Sequence, residues 1–317
     1  MKTLLTGSPA YKVIASDKQS NTLSHAYLVV CSDEGMIGRY LTELAKLLSC
    51  ESTDYCDNCR ICSLVSARSH PDVYFYPKDG KKLSVADADE IIEESVIKPL
   101  ELKEKLFVVE KVEDFGQYQN KLLKTVEEPP RNVRLILGTT REAAVLPTIK
   151  SRVKTLTIPD FSDAELTRAA KKDCPDEQKL SVAVSLAGGK LGEVYRYYGE
   201  DTVVTYLTVC DMILNMKRAS DVLKYATRLK DVPQKDLLAI TKSCFACVQR
   251  AVLGGEKLKK ELSGAQNMYT PGMLFDIIDR ISDIEKTVNF NGNKTMVVDS
   301  LLFAVMEGKA KWQRLSV

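Results

Sequence analysis

The sequence has little histidine, almost no net charge and no long apolar run. Its 317 residues include two histidines, His25 and His70, so general-base chemistry that needs this side chain has few candidates. The 45 basic and 43 acidic residues leave a net charge of +2, too little to attract DNA or a membrane over a distance. No run of about 18 apolar residues is present, and Leu4 and Leu5 alone are too few for a secretory signal. These absences predict a cytoplasmic protein with no membrane contact.

The pattern of apolar residues predicts alternating strands and helices in the first half of the chain and helices alone in the second half. At roughly 150 residues per domain, the length allows two domains, or three if one is small. Five short β-rich runs in the first half alternate with helical patterns, which predicts a parallel, doubly wound sheet with ligand sites at the carboxyl ends of its strands. The runs cover residues 26–30, 73–76, 106–110, 135–139 and 155–158, and the helical patterns cover 37–48, 85–98 and 118–128. After Pro159 the apolar spacing is helical throughout, so the fold class is α/β plus all-α.

Four of the nine cysteines form a C-x5-C-x2-C-x2-C pattern: Cys50, Cys56, Cys59 and Cys62. Thiols stay reduced in the cytoplasm, so a cluster of this kind favours a metal over disulfides, which would need an oxidising compartment. Four thiolates close a tetrahedral Zn²⁺ site and leave no position for water. The pattern therefore predicts a structural zinc ion, with four unrelated buried thiols as the alternative.

We expect the other five cysteines to be buried structural residues that bind no metal and take part in no reaction. Cys244 and Cys247 also stand in a C-x2-C step, but on a helical pattern with apolar neighbours. Cys31, Cys174 and Cys210 stand alone. A role for Cys244 and Cys247 stays open at this point.

The segment after the first predicted strand resembles a damaged phosphate-binding loop. An active loop has the pattern G-x4-G-K-[ST], in which the lysine binds phosphate and the hydroxyl binds Mg²⁺. Gly35 and Gly38 are present. Arg39 and Tyr40 stand where the lysine and the hydroxyl residue are needed, so this chain is not expected to hydrolyse ATP or to bind it as a cofactor.

Charged residues at two further positions indicate the same loss. Asp33 and Glu34 in the loop would repel phosphate. The third run ends in Glu110 and Lys111, where an ATPase has two acids that hold Mg²⁺ and position water. Glu110 could still meet a metal, but a lysine cannot activate water. Each defect alone could be an exposed loop or strand end; together they predict a nucleotide-binding fold that has lost hydrolysis.

Several motifs between residues 25 and 158 occur together. They are His-Ala-Tyr-Leu at 25–28, the four-cysteine insertion, His-Pro-Asp at 70–72, Asn-Lys-Leu-Leu-Lys-Thr-Val-Glu-Glu-Pro-Pro at 120–130, Gly-Thr-Thr at 138–140 and Ser-Arg at 151–152. In this combination the chain resembles the bacterial clamp-loader subunits of the AAA+ class, which belong to DNA polymerase III. The similarity continues weakly through residues 186–192.

The resemblance implies a domain plan and a set of partners. The plan is a RecA-like AAA+ domain at 1–157 with a zinc module at about 49–63, a helical lid at 158–206, and a helical collar at 207–317. The partners are the tau/gamma ATPases and a delta subunit in a hetero-pentamer. Through this assembly the chain would act on the sliding clamp and primed DNA during DNA replication.

The resemblance also implies roles for two residues. Family members present the arginine of a Ser-Arg-Cys motif to ATP on the neighbouring subunit, which makes Arg152 an arginine finger in trans and Ser151 its supporting residue. Val153 replaces the cysteine of the motif, and a plain surface arginine is the alternative. Gly192 stands where ATPases carry a lid arginine, and Thr139 with Thr140 is expected to cap or pack the strand end.

Two other functions stay open. One is an AAA+ ATPase with a divergent loop, in which Arg39 replaces lysine as the phosphate-binding cation. The other is a zinc-ribbon protein that binds nucleic acid. Glu51, Asp54 and Asp57 surround Arg60 within the cluster, which is poor chemistry for contact with phosphates.

Overall fold

The computed structural model describes residues 2–78, 80, 82–255, 258–288 and 294–314, with the backbone alone at 288, 294 and 310–314. The chain forms two compact units. The first consists of the residues up to Lys172 together with Gly188–Glu193, and the second consists of Asp173–Ala187 and the residues from Val194 onward. The predicted lid at 158–206 contributes to both units, and the division into three domains stays a prediction.

The first unit contains one parallel sheet of five strands in the order β2-β3-β4-β1-β5. The strands are β1 Ala26–Cys31, β2 Val73–Tyr76, β3 Lys105–Val109, β4 Val133–Thr139 and β5 Lys154–Ile158. Every residue of β3 and β4 is buried, as predicted. Strand β5 instead buries only Leu156 and Ile158, because it lies at the edge of the sheet and its other residues face solvent. The register pairs Val30 with both Thr139 and Thr157, so the carboxyl ends of β1, β4 and β5 lie side by side.

Helices cover this sheet. They are α1 Lys2–Leu5, α2 Pro9–Gln19, α3 Ile37–Ser49, α4 Arg60–Ser66, α5 Val85–Ser95, α6 Gln119–Glu127, α7 Pro147–Lys150 and α8 Asp163–Ala170. Helix α3 buries its apolar face, including Tyr40, Leu41 and Leu44. Helix α5 begins with the predicted capping box of Ser84 and Asp87.

The second unit is helical within its described residues and has one main core. Its helices are α9 Glu177–Leu186, α10 Leu191–Tyr197, which starts in the first unit, α11 Glu200–Asn215, α12 Ala219–Leu229, α13 Gln234–Gly254, α14 Pro271–Val288 and α15 Lys294–Arg314. Helix α13 is long and apolar enough to cross a membrane, a test that core helices of globular proteins also pass. Its side chains Leu238, Cys244 and Phe245 are buried in the core, so it serves as a packing element here.

Candidate functional site

The four clustered cysteines come together around one point. Cys50 directly follows α3, Cys56 and Cys59 lie in the next loop, and Cys62 lies in the first turn of α4. All four sulfur atoms lie within 4.8 Å of one another. The Cys50 sulfur is 3.9 Å from that of Cys56 and 4.0 Å from that of Cys59. Four sulfurs at about 2.3 Å from one Zn²⁺ would be separated by about 3.8 Å, so the cluster fits a tetrahedral ion.

Backbone groups prepare these thiols for a metal. The amide of Cys62 donates to the Cys59 sulfur at 3.3 Å, so one ligand also caps helix α4. Burial alone would raise the pKa of Cys50, but hydrogen bonds from the backbone of Cys56 and Ser52 outweigh it and hold the pKa at about 6. Thiolates are the form that binds metal, so this environment favours coordination by Cys50. Burial instead raises the pKa of Cys62 to about 12 in the absence of a metal charge.

Lysine and tyrosine side chains fix the cysteine module to the helices beside it. The Lys18 ammonium donates to the carbonyl oxygens of Leu47, Cys50 and Ser52, at 2.7, 2.5 and 2.6 Å, and thereby caps the carboxyl end of α3. Tyr55 is buried, and the Lys46 ammonium lies 4.7 Å from the centre of its ring. The module is therefore held in place at the residues between its ligands.

The predicted phosphate loop contains a buried acidic side chain. Asp33 is buried, and its carboxylate accepts the backbone N–H of Gly192 at 2.9 Å. A Cβ atom on Gly192 would lie 2.5 Å from Asp33 Oδ1, so glycine is needed there. Tyr40 is also buried, and its hydroxyl lies 3.4 Å from Asp33 Oδ2. Burial raises the pKa of Asp33, while the hydrogen bonds from Gly192 and Tyr40 act against that rise.

Two acidic side chains at this loop pair with basic side chains from other parts of the first unit, while Arg39 is exposed. Glu110 is 2.5 Å from the Arg68 guanidinium and lies so close to Gly38 that a Cβ there would be 2.5 Å from its Oε1. The Lys111 ammonium is 2.6 Å from Glu34 Oε1. Glu110, the residue with a predicted option of meeting a metal, is thus engaged by an arginine.

A cleft of about 380 Å³ opens at the carboxyl ends of the central strands. It is lined by Ser32, Glu34, Lys111, Glu113, Asp114, Thr140 and Arg141. Thr140 donates to Glu113 Oε1 through its amide at 2.9 Å and its hydroxyl at 2.8 Å, and the Thr139 hydroxyl accepts the Arg141 amide at 3.1 Å. Both threonines therefore hold the strand end, in line with the sequence-based expectation. No sequence motif around Glu113 predicts its hydrogen bonds with Thr140.

Arg152 lies apart from these groups in the sequence, two residues after α7. Its side chain is 41% exposed and its Nε lies 3.0 Å from Glu127 Oε1. Its Nη1 donates to the Thr148 carbonyl at 3.0 Å and to the Ser151 hydroxyl at 3.1 Å. The two predicted motif residues thus contact each other directly.

Residues 7–162 match the family described as DNA polymerase III, delta subunit. The chain is 30% identical over 152 residues to DNA polymerase III subunit delta' of Bacillus subtilis, which covers 46% of this chain and 45% of that protein. It is 24% identical over 212 residues to the subunit delta' of Escherichia coli, with 65% and 64% covered. The chain thus spans about half to two thirds of the length of these curated relatives. These matches confirm the predicted resemblance to bacterial clamp-loader subunits and point to the subunit delta' among them.

Solved structures with similar folds include a DNA polymerase III gamma subunit-related protein from Thermotoga maritima. It is 18% identical with a TM-score of 0.45, and the match covers 93% of this chain and 99% of that one.

Proposed function

Because residues 7–162 match the family of DNA polymerase III delta subunits, we propose that this chain is the delta-prime subunit of a bacterial clamp loader, a subunit that does not hydrolyse ATP. It would assemble in the cytoplasm with tau/gamma ATPases and a delta subunit into a hetero-pentamer, with the AAA+ domain at 1–157, the lid at 158–206 and the collar at 207–317. The assembly would load the sliding clamp onto primed DNA as part of the DNA-directed DNA polymerase holoenzyme, a nucleotidyltransferase.

One observation supports this proposal: a buried carboxylate, that of Asp33, lies in the predicted phosphate loop. A phosphate group entering the loop would meet the buried carboxylate of Asp33, and two like charges at such a site strongly disfavour each other. Tyr40 brings a buried phenol where Mg²⁺ needs a small hydroxyl, and Lys111 is paired with Glu34. The site therefore lacks the charges that bind Mg-ATP, although the cleft beside it has a volume of about 380 Å³.

In this proposal Arg152 is the residue that takes part in ATP hydrolysis, at the active site of the neighbouring subunit. It is half exposed and carries a full positive charge, as an arginine that reaches a neighbouring subunit must. An arginine donated in trans stabilises the charge that develops on the transferred phosphoryl group. In GTPases such an arginine accelerates the reaction by a factor of about 10³ to 10⁵.

The test is a reconstituted loader that contains this chain, the tau/gamma ATPase and delta. We expect Arg152→Ala to lower DNA-stimulated ATP turnover and clamp loading at least a hundredfold at the affected site. Arg131→Ala, at an exposed arginine of the same unit, is the matched control and should keep the wild-type rate. Equal rates for Arg152→Ala and wild type would refute the trans role.

The metal belongs to the proposal as a structural zinc ion held by Cys50, Cys56, Cys59 and Cys62. Bound there, the ion would cross-link the loop between α3 and α4, and it would not take part in a reaction. The acidic residues of the module and the pairing of Arg60 with Glu101, at 2.6 and 3.0 Å, leave little positive charge for nucleic acid. This arrangement does not favour the zinc-ribbon alternative.

A further inference from the structure

The guanidinium of Arg152 is held at two of its three nitrogen atoms. Nε lies 3.0 Å from Glu127 Oε1, and Nη1 donates to the Thr148 carbonyl and the Ser151 hydroxyl. Within the described residues, Nη2 has no hydrogen-bond partner. An arginine has five N–H donors in a fixed plane, so holding two nitrogens fixes the direction of the third. The free donors can then meet an acceptor outside this chain.

The groups that hold the arginine belong to fixed elements. Glu127 is the last residue of α6, in which Leu122 and Val126 are buried. Thr148 lies in α7, next to the buried Ile149. These two helices are also joined by the buried Gln119, whose amide nitrogen donates to the Ala144 carbonyl and whose amide oxygen accepts the Leu146 N–H, both at 3.0 Å.

Stability is a poor explanation for the pair of Arg152 and Glu127. The two side chains are 41% and 42% exposed, and ion pairs in such surroundings contribute little to the stability of a fold. The same pair has a large effect on orientation, because a long arginine side chain free in solution samples many rotamers. Positioning of a reacting group matters steeply, since a misplacement of about 1 Å can lower a rate a hundredfold.

We propose that Glu127 is a positioning residue that aims the Arg152 guanidinium at the phosphate groups bound by the neighbouring subunit. The proposal rests on the proposed trans role of Arg152 and adds the acid that prepares it. Glu127 touches no phosphate itself. It fixes Nε, and the remaining donors of Arg152 stay available for the anion.

The experiment uses the reconstituted loader with Glu127→Ala, Glu127→Gln, Arg152→Ala and the double variant Glu127→Ala/Arg152→Ala. We expect Glu127→Ala to lower the kcat of DNA-stimulated ATP hydrolysis about tenfold with an unchanged KM for ATP, because ATP binds to the neighbour. Glu127→Gln keeps an oxygen of the same reach and should retain more turnover than Glu127→Ala. Glu128→Ala, at the adjacent exposed acid, should equal wild type.

The outcomes separate the two proposals. If Arg152→Ala is slow and Glu127→Ala equals or exceeds wild type, Glu127 does not position the arginine. If Glu127→Ala slows turnover further in the Arg152→Ala background, the acid acts by another route and the inference is overturned. If Arg152→Ala itself equals wild type, the trans role fails, and with it this use of Glu127. Native mass spectrometry must show the same amount of assembled pentamer in every sample.

Discussion

The ammonium of Lys111 lies 2.6 Å from Glu34 Oε1 and joins the end of β3 to the loop that follows β1. In an ATPase of this fold class the corresponding gap holds phosphate and Mg²⁺. Here an internal ion pair spans it. The hydrogen bond and the opposite charge of Lys111 lower the pKa of Glu34, which favours the charged form of this carboxylate.

Nucleotide binding is the first property to measure. We expect equilibrium titration of the isolated chain with a labelled ATP analogue and Mg²⁺ to show no saturable binding at micromolar concentration, because Asp33 and the pair of Lys111 and Glu34 fill the loop. A tau/gamma ATPase in the same buffer is the positive control. Saturable micromolar binding would instead favour the ATPase with a divergent loop, in which Arg39 replaces the lysine.

The four clustered cysteines lead us to expect one bound zinc ion per chain. The purified chain should hold about one zinc ion by elemental analysis, since four cysteines make one closed site. Cys50→Ser should lose the ion and destabilise the first unit by about 3 kcal/mol or more in urea unfolding. Cys247→Ser, at a half-buried cysteine of the second unit, should keep both the ion and the stability of the first unit. A metal-free wild-type chain of unchanged stability would contradict the site.

Gly192 should tolerate no larger side chain. Its Cβ would lie 2.5 Å from Asp33 Oδ1 and 3.1 Å from the Gly35 Cα, so Gly192→Ala must displace the Asp33 carboxylate or the backbone. We expect a loss of about 1–3 kcal/mol in the free energy of unfolding. Gly254→Ala is the control, because no atom lies within 4 Å of the added methyl group. Equal unfolding midpoints for Gly192→Ala and wild type would show that the contact is not tight.

We expect the free energy of unfolding of the second unit to depend on pH through Lys309. Its ammonium donates to the carbonyls of Ile213 and Met216 at the end of α11, at 2.9 and 3.0 Å. Burial, with a smaller contribution from the charge of Lys217, lowers its pKa from 10.5 to about 8. An unfolded chain therefore binds a proton that the folded chain has released between these two values, and the stability due to Lys309 rises with pH in that window.

The measurement compares wild type with Lys309→Met. From pH 8 to about 10.5, the free energy of unfolding of wild type should rise relative to that of the variant. Lys230→Met, at an exposed lysine, should follow wild type at every pH. A constant difference between wild type and Lys309→Met across the window would contradict the lowered pKa.

Local patterns in the sequence predict most of the sheet and the metal cluster. All five strands lie within two residues of the predicted runs, because buried strands give continuous apolar runs. Helix α5 is an exception and ends at Ser95, not at residue 98. The residue before Pro99 is disfavoured in a helix, and the buried Asp72 carboxylate accepts the backbone N–H groups of the loop after it, at Leu100, Glu101 and Leu102.

Contacts between distant residues could not be predicted in the same way. Asp33 and Gly192 are separated by 159 positions, and no spacing rule joins them. Glu127 and Arg152 each stand in a recognisable motif, but only the packing of α6 and α7 brings them within 3.0 Å. Residue types predict the departure from the phosphate-loop pattern at Arg39 and Tyr40, whereas the contacts of Asp33 and Lys111 depend on the three-dimensional fold.

The contacts in the predicted phosphate loop have a consequence for how this site could change in evolution. Glu110 lies against Gly38, Asp33 holds Gly192, and Lys111 holds Glu34, so each of these three charged residues makes a contact of its own. A single reversion toward an active loop would break one such contact and still leave the others in place. Every early step back would therefore break a contact before a complete set of ATPase residues is in place, so an active loop would be hard to rebuild one substitution at a time.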